Sequence, residues 1–426
     1  MRFWKPAYVG RALITFVFLS QLYCDNKGIA VDKNAPPGIP TNPSPGNESI
    51  ISHNTNIQLG WECNDPDGDS LTYDLYFGED FDPPLAATSL TNCAYTINIL
   101  DNSKTYYWRI TASDGKDLTL GRRWRFNIEM ERGIHLVGSY DSHSSLDVKV
   151  IEHYAYIGDA GGFEIVDISD PTAPAYIGEF HSPHYNDSAH DIFVDGDYLY
   201  QADGNAGLQI YDISDPANPV LASGLWEVGY AGDVYVKDEY AYVASGSFIF
   251  IVDVGDPTEP LEVGSLQPGG YVNGVIVRGN LAYFSNHIRG LQIVDISDPG
   301  NPVLVGEYTT SWYSYSIFVY GDYAYLTKGY DGFQIIDIVN PAAPVFVGSY
   351  NSNGLAQDIY VADNLAYLAG GDSGLYVVNI GNPANPIEVE IYDAGGTVGG
   401  LDKNEDFLFV SLSWRGGGLL ILQYVP

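Results

Sequence analysis

GLQIVDISDPGNP, residues Gly290–Pro302, is the segment that decides the fold, because the chain repeats it. GFEIVDISDPTAP at Gly162–Pro174 and GLQIYDISDPANP at Gly207–Pro219 are close copies. FIFIVDVGDPTEP, GFQIIDIVNPAAP, GLYVVNIGNPANP and a truncated GLLILQYV are diverged ones. One anchor position falls at Asp167, Asp212, Asp253, Asp295, Asp337, Asn379 and Gln423, so the steps run from 41 to 45 residues. A period of that length with four short strands per unit predicts a β-propeller, here with seven blades.

Within each unit the pattern predicts an inner strand such as DIFV (Asp191–Val194), a turn, a second strand such as YLYQ, the IVDIS strand, and an outer strand such as PVLVGEY (Pro302–Tyr308). The seventh unit stops after its third strand. Its missing outer strand is expected at residues 134–140, IHLVGSY, which would close the ring and leave no open sheet edge. The propeller is therefore placed at residues 133–426. The matching segments Glu164–Ser169, Gln292–Ser297 and Gln334–Ile338 resemble the LVIVD repeat of bacterial and archaeal surface proteins. That resemblance implies a surface or secreted location and carries no catalytic residues with it.

Residues 46–130 read as a small β-sandwich, with alternating strands at Ile57–Cys63, Leu71–Phe77, Thr105–Ala112 and Arg123–Ile128. Trp61, Tyr73, Leu75, Leu100 and Tyr106 give this stretch a resemblance to a fibronectin type III domain. The fold class expected for the whole chain is all-β: a seven-bladed propeller preceded by a fibronectin type III-like sandwich.

Residues 1–30 read as an export signal. Arg2, Lys5 and Arg11 precede an apolar run, Ala12–Tyr23, which is short of the roughly 20 residues that span a bilayer. Cys24 stands where a lipoprotein signal places its lipidated cysteine, and Gly28-Ile29-Ala30 offers a rival cleavage site. Either reading puts the protein outside the cytoplasm, at the cell surface or secreted, with membrane contact only through an N-terminal lipid. Residues 31–45, with five prolines, are expected to form an extended linker. Cys63 and Cys93 then face an oxidising compartment and are expected to pair, a free-thiol state being the alternative. The positions they hold in a fibronectin type III-like fold favour the pairing.

The net charge of −35 makes nucleic acid and anionic lipid poor partners. No G-x-S-x-G, H-E-x-x-H or P-loop motif occurs, so catalytic residues are entered as none. The Asp/Asn-Pro pairs, repeated in six units, are assigned to hairpin turns.

Asp147, Asp191, Asp233 and Asp358 start inner strands and should meet at the channel mouth, hydrogen-bonded to backbone or holding a cation or polar ligand. Residues that occur once are better binding candidates. Trp226, Tyr230, Tyr271, Trp312, Tyr313, Tyr315 and Trp414 lie in variable loops expected on one face, and suit stacking against sugars or apolar side chains. His287, Arg289 and Arg415 lie in the same loops. His181, His184 and His190 are candidate transition-metal ligands. Asp65, Asp67 and Asp69 in DPDGDS could take calcium, and otherwise no cofactor is required. The function expected is non-catalytic binding of a protein or glycan at the cell surface. The alternatives are an extracytoplasmic glycan lyase or hydrolase, and a structural envelope component.

Overall fold

The computed structural model describes residues 34–52, 56–98, 104–129, 132–142, 145–159, 162–182, 190–310, 313–413 and 417–426. Cys24 and the segment read as a signal lie outside them. The chain forms two compact units that part between Glu131 and Arg132. Both are all-β, and the helical element among the described residues is a single 3-10 turn, Trp226–Val228. No helix there is long and apolar enough to cross a membrane.

The first unit follows from strict alternation. Asn56–Glu62 buries Ile57, Leu59 and Trp61, and Thr105–Ser113 buries Tyr106, Trp108, Ile110 and Ala112. A three-stranded sheet (Thr41–Ser44, Asn56–Glu62, Ala94–Asn98) and a larger sheet built around Thr105–Ser113 share this core. The rings of Trp108 and Trp124 lie 4.6 Å apart within it.

Two expectations need correction here. The described part of the proline-rich segment is not a free linker. Thr41–Ser44 pairs with Asn56–Glu62, and the Gly38 N–H donates to Asn64 O at 2.8 Å. Pro37 and Pro40 are buried, and Thr119 Oγ1 donates to Pro37 O at 2.6 Å. Proline has no N–H to offer a ladder, so it suits this edge, where its carbonyl still accepts. The expected Cys63–Cys93 bridge is also absent. Both are free thiols, Cys63 Sγ donating to Gly38 O at 3.1 Å and Cys93 Sγ to Tyr73 Oη at 3.4 Å.

The second unit holds seven four-stranded antiparallel sheets among its described residues. In the fourth, Val272–Arg278, Leu281–Asn286, Gly290–Asp295 and Val303–Tyr308 lie side by side in chain order. The third strand is buried nearly continuously on both faces, because each sheet is sandwiched between two others. Tyr242, Ile249 and Ile251 of the third sheet thus pack with Val275 and Phe284 of the fourth.

The repeated acids build the turns. Asp295 Oδ1 accepts the Ser297 N–H at 2.9 Å, and Asp298 Oδ1 accepts the Gly300 N–H at 3.2 Å. Equivalent bonds recur at Asp170, Asp215, Asp256, Asn340 and Asn382. In six of the seven sheets the outer strand then meets the next sheet's turn. At Gly306 a β-carbon would overlap the Pro341 carbonyl oxygen, so only a bare backbone fits.

The sheet of the C-terminal strands is completed from far away in sequence. Gly133–Asp141 pairs with Gly418–Val425, Ile134 opposite Tyr424 and Tyr140 opposite Leu419. Each sheet's inner strand packs against that of the next, and Asp147–Ile151 packs against Thr397–Lys403, so the inner strands form a cycle. A central channel runs between them.

Candidate functional site

The channel is a cavity of about 670 Å³ lined by the inner strands and the loops above them. Side chains two apart on a strand share a face, and this sets its layers. Asp147 and Lys149 both point inward, as do Asp191 and Phe193, Asp233 and Tyr235, Asp358 and Tyr360.

All four predicted channel aspartates line this cavity, joined by Asp402. Each carboxylate accepts a backbone N–H from the next sheet. Asp147 Oδ2 takes Ile192 N–H at 3.2 Å, Asp191 Oδ2 takes Val234 N–H at 3.1 Å, and Asp233 Oδ2 takes Val275 N–H at 3.3 Å. Asp358 Oδ2 takes Leu401 N–H at 2.9 Å, and Asp402 Oδ2 takes Val150 N–H at 2.7 Å. The acids therefore stitch neighbouring sheets together around the channel. Where the repeat has glycine instead, at Gly400, a β-carbon would collide with the Asp147 carboxylate.

Crowding is relieved by a cation and by protons. Lys149 Nζ lies 3.6 Å from Asp147 Oδ2 and 3.9 Å from Asp191 Oδ1. Burial alone would depress this ammonium, but the field of Asp147, Asp191, Asp402 and Asp358 outweighs it and holds the group well above its usual value. Burial pushes Asp147 well above the carboxylate range, against the pull of Lys149. Burial and the Asp233 charge push Asp191 up to about 8, and burial raises Asp233 to about 7. Side-chain hydrogen bonds join Asp147 to Asp191 and Asp191 to Asp233.

This has a sign in stability. The unfolded chain gives up these protons near 3.8, and the folded channel keeps them until about 7 to 8. The contribution is complete below the lower value and is lost as pH climbs to the higher, at no more than about 1.4 kcal/mol per pH unit for each proton. The turn aspartates Asp167, Asp170, Asp212, Asp256 and Asp295 are held low by hydrogen bonds from their own turns, so their contribution is already in place above pH ~5. The melting temperature is therefore expected to fall from pH ~5 to pH ~8, and Asp191→Asn to flatten that slope. A pH-independent melt would show that the channel acids titrate normally.

Above the carboxylates lies an arc of rings. His190 Nε2 and Tyr230 Oη are 2.5 Å apart, and burial lowers the imidazole's pKa, keeping it neutral. Ring contacts continue from Tyr230 to Tyr271 (6.4 Å), from Tyr271 to His287 (6.1 Å) and from His287 to Tyr313, which stack at 3.7 Å. Tyr315 meets His287 edge-on at 6.1 Å. Tyr230, Tyr271, Tyr313 and Tyr315 remain between 37 and 50 % exposed, so their faces are open to a ligand.

Six segments of the chain, residues 144–182, 187–224, 228–267, 269–310, 313–352 and 353–394, match the LVIVD repeat model. The chain belongs to the LVIVD-repeat family. Solved structures with the same architecture include the β-propeller domain of Cps50 (Swd1) from Myceliophteria thermophila, at 11% identity and a TM-score of 0.55, over 68% of this chain and 100% of that one. The computationally designed Ika8 protein matches at 9% identity and a TM-score of 0.50, over 77% of this chain and 94% of that one. These likenesses establish a β-propeller fold and nothing further. A search of curated proteins finds no match.

The other candidates in this LVIVD-repeat chain are scattered. Trp226 sits on the 3-10 turn, exposed and outside the cavity lining. Arg289 pairs with Glu307 at 3.8 Å. His181 pairs with Glu179 at 3.1 Å rather than with His190, which belongs to the ring arc. Trp312, Trp414, Arg415 and His184 lie outside the described residues.

In DPDGDS, Asp65 Oδ1 accepts the N–H groups of Asp67 and Asp69, and Asp69 pairs with Lys116 at 3.0 Å. Among the described residues no group of three or more His, Cys, Asp or Glu is placed to hold a metal ion. Sequence reading missed Lys149 and Asp402. Lys149 stands two residues beyond Asp147, and Asp402 two beyond Gly400, the aligned position of the seventh unit, so strand periodicity was the available signal.

Proposed function

We propose that this is an exported surface protein that binds its ligand without chemistry at the mouth of a seven-bladed propeller. The observation that carries the reading is the ring arc from His190 to Tyr315. It is aromatic, open, and set over a polar cavity, as in ligand sites where stacking supplies area and a few polar groups fix orientation. A protein side chain or a glycan is the expected occupant. Residues 1–30 would direct export, with Cys24 as lipid anchor, and the fibronectin type III-like unit would serve as spacer. Calcium at Asp65, Asp67 and Asp69 is not needed for this reading.

The test is a glycan-array and surface pull-down screen with the purified protein, beside a Tyr230→Ala/Tyr271→Ala variant. A ligand held by the parent protein and weakened at least about tenfold in the variant supports the mouth as the site. Ligands bound equally by both would move the site elsewhere.

A second reading, an extracytoplasmic hydrolase or lyase, is favoured by the elevated Asp191 and Asp233, since a carboxyl poised near neutrality can act as a general acid. Turnover of a bound glycan, abolished by Asp233→Asn, would favour it over simple binding.

A further inference from the structure

We propose that the channel beneath the ring arc is a receptor for organic ammonium groups, taking an alkylamine or a lysine-like side chain between its carboxylates and its inner aromatic rings. The proposal rests on the mouth being the binding face, and it names the chemistry of what enters.

The first support is the layering. Below the carboxylates, Phe193 and Tyr235 form one ring pair with centroids 4.8 Å apart, and Phe318 and Tyr360 form another at 4.9 Å. All four line the cavity. Carboxylates alone attract any cation. Carboxylates stacked between aromatic faces favour a cation that also carries apolar surface, because the ring quadrupole attracts an ammonium and the ring area covers its methylenes.

The second support is Lys149. The chain already seats one alkylammonium in this channel, its side chain reaching the carboxylate layer from the inner rings' level. Burial raises the hydroxyls of Tyr235 and Tyr360, and Lys149 pulls both back, so its charge is felt by both ring pairs. The geometry that accepts this ammonium is thus displayed in the molecule itself.

The third support is the charge count. Five aspartates face one lysine, so with every group ionised the channel stands four positive charges short. Burial raises Asp191 and Asp233, and neighbouring carboxylates add to it, so both retain protons. An incoming ammonium would replace those protons. The protein's net charge of −35 adds a long-range field that draws cations toward it. Divalent metal is the less suitable occupant, since among the described residues no group of three or more His, Cys, Asp or Glu is placed to hold a metal ion.

The experiment is isothermal titration calorimetry of the full protein with cadaverine and spermidine at 150 mM salt near pH 7.5, in two buffers of different ionisation enthalpy. Binding with proton release is expected, because an ammonium beside Asp191 and Asp233 ionises them. Asp233→Asn should weaken binding at least about tenfold, and Tyr235→Leu roughly threefold to tenfold. Asp402→Asn serves as a second charge variant should Asp233→Asn fail to fold. Magnesium chloride at equal charge should not displace the amine.

Absence of binding, binding unchanged in both charge variants, or displacement by magnesium would overturn the proposal. The last two would reduce it to diffuse surface electrostatics. If the mouth variant loses a glycan or protein ligand while amines do not bind, this inference fails and the proposed function stands. If amines bind and the mouth variant changes nothing, the reverse holds.

Discussion

Lys149→Met is expected to cost about 3 kcal/mol of stability, measured by urea denaturation of the second unit's transition. Lys149 is the cation within reach of both Asp147 and Asp191. Removing one partner from an enclosed ion cluster leaves charge without compensation, which is why such changes cost more than the pair contributes. The Lys149 side chain keeps 28 % of its surface accessible, so the loss should sit at the lower end of what a fully enclosed pair would show. Two companion results belong with it. The loss should be larger at pH ~9 than at pH ~6, because the carboxylates can take up protons at the lower pH. Adding Asp147→Asn should recover part of it. A loss below about 1 kcal/mol at both pH values would mean the acids are not held together by this ammonium.

Gly306→Val should be comparably damaging, about 3 kcal/mol, for an unrelated reason. The residue lies on an outer strand where the next sheet's Pro341 carbonyl occupies the space a β-carbon needs, with the Ala342 Cα 3.3 Å from it. A branched side chain must push two sheets apart or twist the strand. The control is built into the fold. Ser223 holds the same register in the second sheet, and its hydroxyl donates to Pro257 O at 2.5 Å. Gly306→Ser should be nearly as damaging as Gly306→Val, since it brings the same β-carbon against the Pro341 carbonyl, whereas the second sheet is spaced to accept the Ser223 side chain. A Gly306→Ser variant as stable as the parent would show that this contact does not exclude a side chain.

Much of the architecture could be read before any coordinates. The GLQIVDISDPGNP repeat carries both the strand pattern and the turn chemistry, and the turn signal survives in the six copies that make the turn. The pairing of residues 134–140 with the C-terminal strand was legible for the same reason, IHLVGSY being a recognisable outer strand with no neighbours of its own.

What stayed hidden is what depends on three dimensions. Lys149 and Asp402 look like ordinary strand residues until the ring brings seven inner strands to one axis. Tyr230, Tyr271, Tyr313 and Tyr315 stand out in the sequence as loop aromatics and His287 as a neighbour in the same loops, but their joining into one arc is set by loop conformation, which has no period to read. The described part of the proline-rich stretch was misjudged because composition reports stiffness and says nothing about docking. Pro37 and Pro40 are stiff and buried at once.

The closing sheet also governs the order of assembly. Ile134 finds its partner at Tyr424, so the strand synthesised first in this unit waits for nearly the last one. Until then six sheets can stack on one another, but the array is a spring with two raw ends, each presenting unpaired backbone to any strand nearby. Bringing those ends together closes a loop of almost the whole unit, an entropic cost met only once every intervening sheet is in place. The lock on this ring is thus the pairing of Gly133–Asp141 with Gly418–Val425.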